Sequence, residues 1–470
     1  MDFPLFFMDE IGNRLLMAVI AIVHVLINHP LAVGAYPLVT LLEWWGRRNN
    51  DAAIDNLAYR VAFVLFVVTT TVGALTGVGI WFSAGLIAPF GIGSLLRVFF
   101  WAWFIEWLVF ISEVVLIMVY VLTWKRWADG LMKKVHIGVG VLLSALSWAT
   151  MVIIVAVLGF MMGSGTWTQN QSFLSAVFNP LYLPQLAFRT AFAMVAAGLV
   201  VWFLMFFFTK QAPELRRRAV RFVSIWILGW TPLWLGASLW YWNAVPAAMQ
   251  ANVNVGLLTQ AFQNWHSDFV VILGVVVAII LVTAVVGALN PRLIPRAVLL
   301  VPCVLGLFLL GHFERVREFI RKPHVVADYM YSNGVTMTEL PVFQRDGLLT
   351  YATYVRHKSV TSANKIEAGE DISMLACSRC HTTTGVNALV DRFEKLYGTE
   401  PWDEAALGAF VSSMHMSRTY MPPFPGNTAE AEALVAYLRD LQQKRGSAPG
   451  AQTLGIPRAA AVDNNANVNQ

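Results

Sequence analysis

Charge is what this sequence has little of. Asp, Glu, Lys and Arg make up 13% of its 470 residues, about half the share in an ordinary soluble protein. That excludes a fully soluble chain and leaves an integral membrane protein with a soluble part attached. Cysteine is scarcer still: there are three, so a disulfide framework is excluded. One of them, Cys303, lies in an apolar run and is expected as a small packed residue. A basic leader is also missing. The N-terminus reads MDFPLFFMDEIGNRLL, acidic where a secretory signal is basic, and the apolar run beyond it continues too long for one. It is read as a short exposed segment leading into a retained helix. No nucleic-acid partner is expected.

What is abundant is apolar sequence, 57% of the chain with 18 Trp. Runs long enough to span a bilayer, by the criterion of about 20 residues, lie near 14–44, 58–84, 96–124, 134–162, 186–209, 219–242, 266–289 and 293–312. The predicted fold is therefore all-α: a polytopic bundle of about eight helices, then a small α-helical domain.

Basic residues fall on alternate connections: Arg47, Arg48 and Arg60 after the first span, Lys125, Arg126, Lys133 and Lys134 after the third. Lys210 and Arg216 to Arg218 follow the fifth, Arg292 and Arg296 the seventh, while 163–185 and 243–265 contain none. Those connections are predicted cytoplasmic, with both the N-terminus and the C-terminal region outside. Arg315, Arg317, Arg321 and Lys322 after the last span run against this pattern. His136, beside Lys133 and Lys134, is expected at the cytoplasmic surface.

Residues 1–312 are read as the bundle, 313–345 as a connector, 346–445 as a soluble domain and 446–470 as a disordered tail. The soluble domain contains MLACSRCHTTTG. In C-x-x-C-H, Cys377 and Cys380 can form thioethers to one haem while His381 binds its iron. Covalent attachment of this kind happens on the periplasmic side of bacteria, which agrees with the loop charges. A second axial ligand is expected at Met421, stiffened by the double Pro that follows. Met414 and Met416 compete for the role, and His415 is expected at the surface. Ala433, Leu434, Ala436, Tyr437 and Leu441 form an apolar stripe of helical period near 428–443. Together these features resemble a class I cytochrome c, which implies a Met/His haem without an open iron position.

Ionisable groups within the spans are candidates for function because burying them is costly. They are His24 and His29 in the first span, Glu106 and Glu113 in the third, Arg189 in the fifth, His266 and Asp268 opening the seventh, and His312 closing the eighth. Seven residues apart, Glu106 and Glu113 share a helix face and suit a proton route leading inward. The segments GALTGVGIWFS, FIEWLVFISEV and FNPLYLPQLAFRTAFAMVAAG resemble subunit I of the cytochrome bd quinol oxidases. By that resemblance His24 matches an iron ligand and Glu106 an acid of the third helix. Arg189 stands where the family has a haem-ligating His, the Met partner of helix 7 is lacking, and the loop between helices 6 and 7 is short. Iron ligation is assigned to His24, with His266 and His312 as further candidates. Arg189, with Arg315 or Arg317, is placed at the level of haem carboxylates. The Trp226, Trp230 and Trp234 face of the sixth span suits either a quinone ring or packing.

Three readings stay open at this point. The chain is a membrane-bound c-type cytochrome, an electron-transfer subunit of a respiratory complex. It then links the membrane, through quinol or a haem b, with a periplasmic donor or acceptor protein and partner subunits. Alternatively it is a terminal oxidase reducing oxygen at a haem held by His24. In the third reading the bundle is a haem-free anchor.

Overall fold

The computed structural model describes residues 3–4, 6–258 and 269–446. Among them, eight helices are long and apolar enough to cross a membrane. They are α1 (Asn13–Arg48), α2 (Ala52–Ile87), α3 (Phe100–Thr123), α4 (Gly130–Met162), α5 (Tyr182–Phe208), α6 (Pro213–Ala244), α7 (Val270–Leu289) and α8 (Arg296–Ile320). Each falls on one predicted span. The difference is at the end of α8, which carries the GHFERVREFI segment on as helix to Ile320.

The small residues of α5 explain its position. Ala193, Ala196, Ala197 and Gly198 let neighbouring helices approach its backbone, and 72% of its most apolar stretch is buried, against 22% in α1 and α3. α1 meets it through a π-helical segment, Asn28–Ala35. Pro30 lies inside that segment and cannot donate to the α-helical ladder, so the turn widens around it. At Gly34 the two helices come so close that a Cβ would sit 2.1 Å from the Ala193 carbonyl oxygen. Cys303 is packed and buried as expected. Trp226 donates its indole N–H to the Met194 carbonyl at 2.7 Å, and Trp234 packs on Phe192, so two of the three tryptophans serve the α5–α6 interface.

Beyond α8, strands β1 (His324–Val326) and β2 (Met330–Tyr331) form an antiparallel hairpin. A second core is built by two short helices, Leu340–Asp346 and Leu348–Tyr351, and by four longer ones: α9 (Lys365–Ala376), α10 (Leu389–Tyr397), α11 (Glu404–Ser417) and α12 (Thr428–Gly446). Ala433, Leu434, Tyr437 and Leu438 of α12 pack with Ile372 and Leu375 of α9, so the predicted stripe faces inward. Glu430 fixes the start of α12. It accepts the N–H groups of Leu348, Leu349 and Asn427 at 2.8, 2.8 and 3.1 Å.

Candidate functional site

Cys377, Cys380, His381 and Met421 line one cavity of about 290 Å³ in the C-terminal region. α9 ends at Ala376, and the chain turns as a tight loop in which the His381 N–H donates to the Cys377 carbonyl at 2.9 Å. That turn presents both thiols and the imidazole to one space. His381 Nδ1 lies 3.2 Å from the Asn387 carbonyl, which leaves Nε2 for a ligand. Burial pushes its pKa down to about 4, so the ring is neutral at neutral pH, the form that binds iron. Burial also pushes the Cys377 thiol up to about 12. In the Met421 loop, the Met421 N–H donates to the Arg418 carbonyl at 2.7 Å, and the His415 ring bonds the Met421 carbonyl at 2.7 Å. His415 is thus a half-buried tie of this loop, where a surface residue was expected. Met414 also lines the cavity; Met416 is 83% exposed and points away.

The bundle closes this cavity. Arg14 at the start of α1, Phe319 in the last turn of α8 and Lys322 line it alongside the cysteines. The Phe319 ring lies 5.5 Å from that of Tyr420, the neighbour of Met421. On the other side, Asp9 accepts the backbone N–H groups of Thr383 and Thr384 at 2.5 and 3.1 Å and the Thr384 hydroxyl at 2.5 Å. The N-terminal segment read as merely exposed is therefore docked against the loop that follows His381. The contact is close: a Cβ on Gly385 would lie 1.9 Å from the Asp9 carbonyl oxygen.

Within the bundle, His24 is half-buried. Its Nδ1 meets the Gly73 carbonyl at 3.3 Å and the Thr76 hydroxyl at 3.2 Å. Its hydrogen bonds thus go to α2, not to Glu106. Glu113 is buried and accepts from the Ser147 and Thr150 hydroxyls at 2.6 and 3.3 Å. His312 is buried and stacks on Phe308. His266 and Asp268 lie outside the described residues.

Arg189 and His29 meet in a way the sequence did not suggest. Arg189 Nη1 donates to His29 Nε2 at 2.8 Å, and Nη2 pairs with Glu314 at 2.7 Å. Glu314 also pairs with Arg317 at 2.9 Å. Two of the arginines placed at the level of haem carboxylates are therefore bound to a protein carboxylate.

A second polar cluster lies at the opposite end of α1, and it corrects the expectation for His136. That ring is fully buried, with Nδ1 2.6 Å from Glu43 and Nε2 2.7 Å from the Tyr120 carbonyl. A carbonyl only accepts, so Nε2 carries hydrogen, and one further proton is shared between Nδ1 and Glu43. Tyr120 donates to Glu43 at 2.7 Å. Lys133 bridges Glu43 and Asp55 at 2.8 and 2.7 Å. The expectation failed because Glu43, the partner that makes burial tolerable, is 93 residues away. From this cluster a ladder runs inward. The Tyr120 hydroxyl lies 3.4 Å from Thr40, where Gly140 leaves room for both. Tyr36, one turn before Thr40, lies within electrostatic range of Glu113, and Glu113 within range of Glu106.

Residues 364–438 match the family described as cytochrome C oxidase, cbb3-type, subunit III, and this region is a cytochrome c domain of that type. Eight chains of solved structures resemble the fold. One is the bd oxidase from Geobacillus thermodenitrificans, with a TM-score of 0.54 and 16% identity, over 67% of this chain and 89% of that one. That likeness concerns the fold of the membrane-helix region. No curated protein matches the chain. The paired thiols, the neutral imidazole and the thioether of Met421 fit the covalent haem that a cytochrome c domain implies.

Proposed function

We propose that the chain is the electron-transfer cytochrome of a respiratory complex, exchanging electrons between the membrane and a periplasmic redox partner. One observation carries this: Cys377, Cys380, His381 and Met421 line a single cavity that is closed by the ends of α1 and α8. A haem bound there supplies a one-electron iron couple, and Met/His ligation favours transfer over ligand chemistry. His381, held through Nδ1, and Met421, held through its backbone, would be the residues that hold the haem iron. The N-terminal segment touches the cytochrome c domain, which supports placing both on the periplasmic side, as the loop charges predict.

A second reading, in which the bundle itself holds a haem b, is supported at His24. Its Nδ1 is occupied by the Gly73 carbonyl, the arrangement that leaves Nε2 to a metal. Quinol, or a haem b at His24, is the proposed link to the membrane, and oxygen reduction there is the alternative. Proton movement in either case is assigned to Glu106 and Glu113, continuing through Tyr36, Thr40 and Tyr120 to the Glu43–His136 pair. Asp55, with 29% of its side chain exposed, is where this route meets cytoplasmic water. A pyridine haemochrome spectrum of the purified chain tests the proposal. One c-type haem per chain is expected, with a b-type signal if His24 ligates. Absence of the c signal overturns the reading, and a b signal that shifts with carbon monoxide favours the oxidase.

A further inference from the structure

The charges around the haem cavity are of one sign. Arg14, Lys322, Arg379, Arg392, Lys395 and Arg418 line it, with no Asp or Glu among the lining residues. The nearest acids along α8 are already engaged, Glu314 with Arg189 and Arg317, and Glu318 with Arg321. Arg14 and Lys322 feel each other's charge, and Arg14 also lies within electrostatic range of His381. Burial holds the Lys322 ammonium below the usual lysine range, with Arg14 and Arg321 acting in the same direction and the Glu318 carboxylate, itself paired with Arg321, acting against it. Cations gathered in a half-buried cavity call for anions, and a haem carries two carboxylates.

Two of these cations belong to the bundle rather than to the cytochrome c domain: Arg14 opens α1, and Lys322 stands just past α8. The bundle also touches the loops of both axial ligands, through Asp9 on Thr383 and Thr384 and through Phe319 on Tyr420. Arg14 lies over the Phe319 ring at 5.5 Å, which joins the two contacts.

Resting on the haem c reading, we propose that the haem site is shared between the two parts of the chain. Arg14 and Lys322 bind the haem carboxylates, and Asp9 latches the loop after His381, so the cofactor is a fixed bridge and not a cargo on a swinging domain. Electrons then pass between haem and bundle at one geometry, and the end of the haem carrying its carboxylates faces α1 and α8. A soluble partner must approach from another side.

The test uses the full-length holoprotein in detergent. Arg14→Gln and Lys322→Gln remove a positive charge beside the carboxylates, which disfavours the reduced iron. Each is expected to lower the haem midpoint potential in a spectroelectrochemical titration, and the double variant lowers it further. Asp9→Ala is expected to speed hydrogen exchange at the Thr383 and Thr384 amides, read by mass spectrometry on peptides covering 381–388. A double variant with full haem content and wild-type potential overturns the shared site. Unchanged exchange in Asp9→Ala overturns the latch, and this measurement decides even if the charge variants fail to fold. A chain without covalent haem overturns the haem c reading itself, which separates that failure from these.

Discussion

Arg189 and Glu314 form a buried ion pair, Nη2 to Oε1 at 2.7 Å, joining α5 to α8 where each side chain is at most 6% exposed. Arg317 and His29 complete the group. Such pairs contribute little over well-packed apolar residues, but removing one partner strands a charge in a low-dielectric interior. Glu314→Gln leaves two guanidiniums without a counter-ion. It is expected to cost about 3–5 kcal/mol, read as a lower denaturant midpoint of the bundle. Arg189→Leu combined with Glu314→Leu is expected to recover only part of that loss, because Arg317 still lacks its Glu314 partner. A double variant worse than the sum of the single changes refutes the pairing.

Met421→Ala tests the axial ligand. The cysteines keep the haem attached, so its amount is expected to be unchanged. Loss of the thioether lowers the potential and removes the Met-to-iron charge-transfer band. If band and potential survive, Met414, which lines the same cavity, is the ligand.

Gly34→Ala addresses the π-helical segment of α1. The added methyl would meet the Ala193 backbone, which cannot move aside as a flexible side chain can. Overpacking of this kind costs about 1–3 kcal/mol. A lower thermal midpoint in detergent is expected, with haem content kept. Wild-type stability in this variant would mean that the α1–α5 contact is looser than described.

What the sequence disclosed, and what it hid, follows from where the partners lie. The spans were legible because a bilayer demands about 20 apolar residues in a row, and α1 to α8 fall on those runs. That Cys377, Cys380 and His381 share one cavity was legible because they are neighbours in sequence, and that Met421 joins them because the following prolines mark a stiff loop. Contacts between distant residues were not. Lys133 and Lys134 made His136 look interfacial, while the carboxylate that buries it lies on α1. Arg189 was read toward a haem, while its partners are Glu314 and His29. The acidic N-terminus carried no motif, yet Asp9 reaches Thr384 across 375 positions.

Glu113→Gln interrupts the proposed proton ladder at its middle. The amide keeps the shape and can still accept from Ser147, but it cannot carry a proton. Proton uptake accompanying reduction of the holoprotein, followed with a pH indicator in weak buffer, is expected to slow by about 100-fold. Tyr120→Phe, which removes the hydroxyl between Glu43 and Thr40, is expected to slow it less. Unchanged uptake in Glu113→Gln refutes the route, and a loss in Glu113→Gln alone places its inner mouth elsewhere than Glu43.

His24→Ala decides whether the bundle holds a haem of its own. The ring is fixed by the Gly73 carbonyl and Thr76 on α2, away from the cavity that holds the cysteines. The c-type signal of the haemochrome spectrum is therefore expected to stay whole while any b-type signal disappears. His312→Ala is the control, since that ring is also buried but stacks on Phe308. A b-type signal that survives His24→Ala and falls in His312→Ala moves the ligand to α8. One that survives both removes these two histidines from iron ligation. Because α8 also carries Phe319 at the haem c cavity, a ligand at His312 would bring the second haem onto the helix that touches the first. A ligand at His24 instead would place the second haem on α1, the helix that brings Arg14 to the same cavity.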